Sequence, residues 1–238
     1  MSDPVPSVLD NPVWHAVVGQ QRGFGDVSPE SDQEGRPLAV RFKSEVGPFA
    51  GLADPADPRC WDALASLVPA GDTAAVVGLD GFQVGEGWDV AAEIPGVQMV
   101  AGSLEPAAEG LAVPLGPPNA TEMLNLVAQT RPGPFGPRTV ELGGFLGIRH
   151  HGRLVAMAGQ RFRPPGFAEI SAVCTDAAHR GQGLGGRLVR AVAEGMAARG
   201  DIPFLHAAAS NVNAIRLYET LGMEVARSVR FVVVRATG

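Results

Sequence analysis

The chain has 238 residues, 45% of them hydrophobic, and a net charge of −6 at neutral pH. That is enough apolar material for one large or two moderate cores, and no segment approaches the roughly 20 apolar residues of a membrane span. The opening MSDPVPSVLDNP lacks a basic start before an apolar run, and Cys60 and Cys174 lack disulfide or metal spacing, so a reduced, cytoplasmic setting without a leader is expected.

Residues 1–105 hold five Lys or Arg against sixteen Asp or Glu, a net of −11, whereas residues 106–238 hold fourteen Arg against nine acids, a net of +5. The halves carry opposite fields, which serves either their mutual attraction or a polyanionic ligand on the positive half. Dispersed arginines and scarce aromatics argue against nucleic acid.

In chain order, NPVWHAVVGQQ suits a short helix and PLAVRF (37–42) a strand. DPRCWDALASLV suits a helix, opened by the cap and first-turn pair Asp57-Pro58. TAAVVGL and VQMVAG are further strand candidates. Trp14, Trp61 and Trp88 all fall in this half and are expected as core anchors. Glycine and proline punctuate residues 102–118, which places a boundary near 105 between an N-terminal α+β region of unknown role (1–105) and a second domain (106–238).

Beyond it, LAVPLG reads as a strand. NATEMLNLVAQTRP reads as a helix capped by Asn119, with Glu122 three residues on. A helical turn is expected near Val140, then two strands joined at His151-Gly152. The strand Phe167–Thr175 follows, then a helix over Gly183–Arg199 with Leu188, Val189, Val192 and Met196 on one stripe. The strand IPFLHAAA, a helix over Asn211–Leu221 and the strand RSVRFVVVR complete the chain.

The chemistry concentrates in FAEISAVCTDAAHRGQGLGG, residues 167–186. Strand, glycine-rich turn and helix together present unpaired backbone N–H groups to a phosphate. A P-loop would need Lys before Ser or Thr, and the only lysine is Lys43. The order of a dinucleotide loop is not cleanly supplied, and IPFLHAAA ends without a carboxylate. Alternation along the strand puts Phe167, Glu169, Ser171, Val173 and Thr175 on one side, and Ala168, Ile170, Ala172 and Cys174 on the other. Glu and Ser in a strand interior mark a face that lines a cleft. Tyr218 is the only tyrosine. No histidine pair has the i, i+4 spacing of a helical metal site, so no metal is expected.

The spacing of Arg180, Gly183 and Gly185, with the downstream SNVNAIRLYETLGM, resembles the acyl-CoA pyrophosphate loop and second signature of the GNAT N-acetyltransferase superfamily. The resemblance spans about residues 106–238 and is strongest over 144–223. It implies an α+β fold: a mixed, partly splayed sheet flanked by helices, with the N-terminal region as an addition or a decayed copy lacking the loop. It implies acetyl-CoA as co-substrate, its pyrophosphate on Arg180, Gly181, Gln182, Gly183, Leu184, Gly185 and Gly186. The pantetheine arm would lie along Val173, Cys174 and Thr175, with Asn211 beside it. Tyr218 is implied as general acid, and Glu169 or His206 as general base. The function expected is direct acetyl transfer in a ternary complex to a primary amine of a small molecule or amino-acid derivative; the alternative is a non-catalytic acyl-CoA-binding module. Neither nucleic acid nor a membrane is expected as a partner, and the sequence does not carry the oligomeric state.

Overall fold

The computed structural model describes residues 7–79 and 81–237. Among them, eleven strands form one mixed sheet. They are β1 (Gly25–Val27), β2 (Ala39–Phe42), β3 (Phe49–Leu52), β4 (Thr73–Leu79), β5 (Trp88–Ala101), β6 (Ala112–Pro114), β7 (Leu146–His150), β8 (Arg153–Gln160), β9 (Phe167–Thr175), β10 (Ile202–Ala208) and β11 (Met223–Ala236). Five helices flank it: α1 (Pro12–Val18), α2 (Pro58–Ala65), α3 (Ala120–Thr130), α4 (Leu184–Ala197) and α5 (Val212–Thr220). Helices on both faces of a mixed sheet are the architecture expected from the sequence. None of the described helices is long and apolar enough to cross a membrane.

The strand order is β1-β2-β3-β4-β11-β5-β10-β9-β8-β7-β6. Apart from the extra edge strand β6, it is symmetric about the central pair β11 and β5. On one side β1–β3 run antiparallel, and β3 joins β4 in parallel across α2. On the other, β7–β9 run antiparallel, and β9 joins β10 in parallel across α4. The two long strands of 14 residues each then change places: β11 lies between β4 and β5, and β5 lies between β10 and β11. The expected boundary near 105 therefore falls between strands of one sheet.

Both parallel pairs separate early. β3 and β4 pair only at Phe49–Ala75 and Ala50–Val76. β9 and β10 pair at Phe167–Ile202, Ala168–Pro203 and Glu169–Phe204, and then splay. The splay leaves backbone groups along Ser171–Thr175 turned toward open space.

α4 holds this second opening in place. Its stripe of Leu188, Val189, Val192 and Met196 is fully buried against Ala168, Ile170 and Leu205. Each such side chain contributes about 1.5–3 kcal/mol of apolar burial. Asp57 caps α2 as expected, accepting from the Arg59 amide at 2.9 Å. Asn119, expected to cap α3, instead accepts from the Gly116 amide and donates to Glu122. β5 starts nine residues earlier than a reading of VQMVAG suggests, because its Ile94-Pro95-Gly96 segment pairs with β11 rather than breaking the strand. All three tryptophans are buried.

Candidate active site

The glycine loop between β9 and α4 is bare. Gly181 (φ 77°) and Gly183 (φ 71°) take the left-handed conformation that favours glycine, and no side chain caps α4. The amides of residues 181–186 have no hydrogen-bond partner among the described residues. A row of free N–H groups at a helix N-terminus, where the helix dipole is positive, is a cradle for an anion. At Gly185 and Gly186 a side-chain carbon would meet Leu217 of α5 and Leu221 just past its end at 3.5–3.9 Å, ordinary contact distances, so α5 packs closely over the loop.

β9 departs from plain alternation. Ala172 has φ 53°, and the register with β8 shifts at this point. This bulge turns the strand over. Val173 joins Ala168 and Ile170 in the cluster under α4, while Ala172 and Cys174 face α3 with Met157. The expected grouping of Val173 and Thr175 with Glu169 is thereby corrected: they lie on the α4 side, within 3.9 Å of where a Gly185 side chain would stand. Cys174 is buried, and burial pushes its thiol pKa up, which leaves it a poor nucleophile.

Tyr218 is buried in the α4 cluster that also holds Leu184 and Val173, close enough to β9 to interact with Cys174. Burial, with a smaller contribution from Cys174, pushes its hydroxyl up to about 12. Asn211 caps α5, accepting from the Ala214 amide at 3.3 Å. Its amide nitrogen has no hydrogen-bond partner among the described residues. Arg180 is exposed and donates from Nε to the Thr175 carbonyl at 3.3 Å.

The two residues expected as bases meet at the apex of the splay, and both side chains are fully buried. His206 Nδ1 lies 2.7 Å from Glu169 Oε1. Arg161, which the sequence reading did not single out, grips the same carboxylate in a fork at 2.6 and 2.7 Å. Its guanidinium lies against the rings of Phe49 and Phe162, 4.4 and 4.5 Å from their centroids. Desolvation opposes ionisation of Glu169, but Arg161 and His206 overcome it and hold the carboxyl at about 2. On the far side, Gln98 Nε2 lies 3.1 Å from His206 Nε2 and donates to the Leu9 carbonyl at 2.8 Å. The Glu169 carboxylate can accept from Nδ1–H while the Gln98 amide donates to Nε2, which fits the tautomer with its proton on Nδ1. A carboxylate inside a strand calls for a cation, and Arg161, at the end of the neighbouring strand, was the signal available. Nothing local pointed to Gln98, which arrives from the exchanged strand β5.

The second half therefore combines a bare anion cradle, a strand with unpaired backbone and a protonated tyrosine. A family model described as FR47-like protein matches residues 145–232. The crystal structure of a GNAT-family protein from Novosphingobium aromaticivorans is 37% identical, covers 97% of this chain and 99% of its own, and superposes with a TM-score of 0.84. The chain belongs to the GNAT family. More distant GNAT structures share the fold. One is a GCN5-related N-acetyltransferase from Kribbella flavida, 18% identical over 95% of this chain and 96% of its own, with a TM-score of 0.59. Another is a tandem GNAT protein from the clavulanic acid biosynthesis pathway, 15% identical over 87% and 81%, with a TM-score of 0.51. No curated protein matches the sequence.

GNAT acetyltransferases take acetyl-CoA as co-substrate, and this GNAT chain has groups that fit it: free amides for a pyrophosphate, and a strand edge for an extended amide-bearing arm. Among the described residues, no group of three or more His, Cys, Asp or Glu side chains is arranged to hold a metal ion.

Proposed function

We propose that this protein is an acetyl-CoA-dependent N-acetyltransferase acting on a primary amine of a small molecule or amino-acid derivative, by direct transfer in a ternary complex. The observation that carries this reading is the run of unpartnered amides from Gly181 to Gly186 beside the splayed β9 edge. The amides of residues 181–186 and Arg180 hold the pyrophosphate, the backbone of Val173–Thr175 binds the pantetheine arm as an added strand, and Asn211 contacts it. Acetyl-CoA supplies the activated acyl group. The β9 backbone polarises the thioester carbonyl, and Tyr218 supplies the proton that a departing thiolate needs.

We assign amine deprotonation to Glu169 and His206 acting as one unit. Glu169 is too weak a base alone at a pKa of about 2. It holds His206 in the tautomer whose Nε2 lone pair can accept a proton, and Gln98 must yield that contact for the amine to approach. The acidic first half favours a cationic acceptor. In this reading it is a copy of the same strand-helix-strand unit that has lost the phosphate loop.

One observation favours a second reading, a non-catalytic acyl-CoA-binding module: both candidate bases are fully enclosed. Free-thiol release with an amine panel separates the two. Turnover that is faster with cationic than anionic amines, and that weakens in salt, supports the enzyme; tight acetyl-CoA binding without release supports the module. Gly185→Glu tests the cradle itself. Its φ is ordinary and a Cβ there would make only ordinary contacts at 3.7–3.9 Å, so it should fold, yet its carboxylate stands against the pyrophosphate. Calorimetry should show acetyl-CoA affinity falling at least about 100-fold, near 2.7 kcal/mol; unchanged affinity would make the loop structural.

A further inference from the structure

The first half contains an opening of its own. A cavity of about 1090 Å³ lies where β3 and β4 separate, lined by Leu52 and Ala53 on one strand end and Val76–Leu79 on the other. Alternate residues of these strands pack under α1 and α2, so the two helices cover opposite faces. Trp14 of α1 and Trp61 of α2 both reach the cavity, one from each face, with Phe82 beside them. The position matches, across the symmetric sheet, the splay between β9 and β10.

Its chemistry is the reverse of that site. α2 offers no anion cradle: Pro58 lacks an N–H, and the Asp57 carboxylate already occupies the helix end and binds Arg59. Three carboxylates, Asp54, Asp62 and Glu86, line the cavity without an ion-pair partner among the described residues. Asp10 is paired with Arg227, and Arg36, the one lining arginine, pairs with Asp32 and Glu34 and sets its guanidinium 6.0 Å from the Trp14 ring centre, a cation already held on one of the aromatic walls. His15 is kept neutral by burial and by Arg36, which lower its pKa. A wide cavity with aromatic walls and uncompensated negative charge attracts cations and repels phosphates.

We propose that this cavity is a second binding site that takes an organic cation, an ammonium or guanidinium on an apolar body, and not an acyl-CoA. None of its lining residues belongs to the candidate active site, so it stands or falls apart from the acetyl-transfer reading.

The test uses the full chain and three probes: benzyltrimethylammonium, phenylacetate as an anion of similar body, and acetyl-CoA. Tryptophan fluorescence and calorimetry should show saturable, salt-sensitive binding of one benzyltrimethylammonium per chain and none of phenylacetate. Asp54→Asn with Asp62→Asn, both exposed positions that should not disturb folding, should weaken the ammonium about 10-fold, or 1.4 kcal/mol. Acetyl-CoA should bind once per chain with the same affinity in that variant. The proposal is overturned by absence of ammonium binding up to about 10 mM, by equal binding of phenylacetate, by an ammonium affinity unchanged in the double variant, or by a second acetyl-CoA per chain that Ala53→Trp abolishes.

Discussion

Tyr218 and Glu169 show how one environment pushes two acids in opposite directions. Tyr218 is buried without a cation, so it keeps its proton up to about 12. Tyr218→Phe should lower kcat by about 100-fold with little change in acetyl-CoA affinity. The wild-type rate should show no alkaline decline between about pH 8 and about pH 10 on its account. Loss of KM alone in the variant would reduce the hydroxyl to packing. Glu169 is more deeply buried, yet Arg161 and His206 depress its pKa from 4.5 to about 2. The unfolded chain therefore binds this proton first on acidification. The stabilisation is whole above about pH 4.5 and drains as pH falls toward 2. Glu169→Gln strands the Arg161 charge and should cost about 3–5 kcal/mol in urea unfolding at neutral pH, a difference that shrinks in acid. A cost under about 1 kcal/mol would mean that the pair is dispensable. The identities of both residues were readable because each is conspicuous in its element. Their partners were not, because Arg161 and Gln98 arrive through strand register and not through local spacing.

At the scale of elements, the glycine-rich turn and α4 were legible because their signals are local: glycines at fixed spacing, then an apolar stripe of helical period. β9 was legible in extent and misread in direction. Period-two alternation assumes an unbroken pleat, and the bulge at Ala172 reverses which face Val173 and Thr175 occupy. β3 was missed because four residues, Phe-Ala-Gly-Leu, are too few to show a period. The bulge also makes a prediction. Ala172 tolerates φ 53°, whereas a β-branched side chain does so only under strain. Ala172→Val should destabilise the protein by about 1–3 kcal/mol and weaken acetyl-CoA binding by shifting the Val173–Thr175 edge. Calorimetry beside thermal melting would measure both, and an undiminished affinity would separate the bulge from the site.

The whole molecule is organised by an exchange that no stretch of sequence announces. β5 belongs by chain order to the acidic half but pairs with β10 and β11; β11 ends the chain but pairs with β4 and β5. Removing either half would leave a 14-residue strand of the other without its sheet neighbours, and would expose edges that β-structure rarely leaves open. The halves also share a cluster in which Phe42, Phe49 and Ala75 pack with Phe162, Phe167 and Phe204. Such a chain should unfold in one cooperative step. Its tryptophans make the test informative, since Trp14 and Trp61 sit on α1 and α2 of the first half and Trp88 on the exchanged strand β5, so fluorescence is weighted toward the first half, whereas far-ultraviolet circular dichroism reports both. The two signals should trace the same urea transition, and residues 106–238 expressed alone should not fold. Separate midpoints, with fluorescence changing before or after ellipticity, would show that each half sustains its own core. The exchanged strands would then be a docking of two finished units and not the seam of a single one.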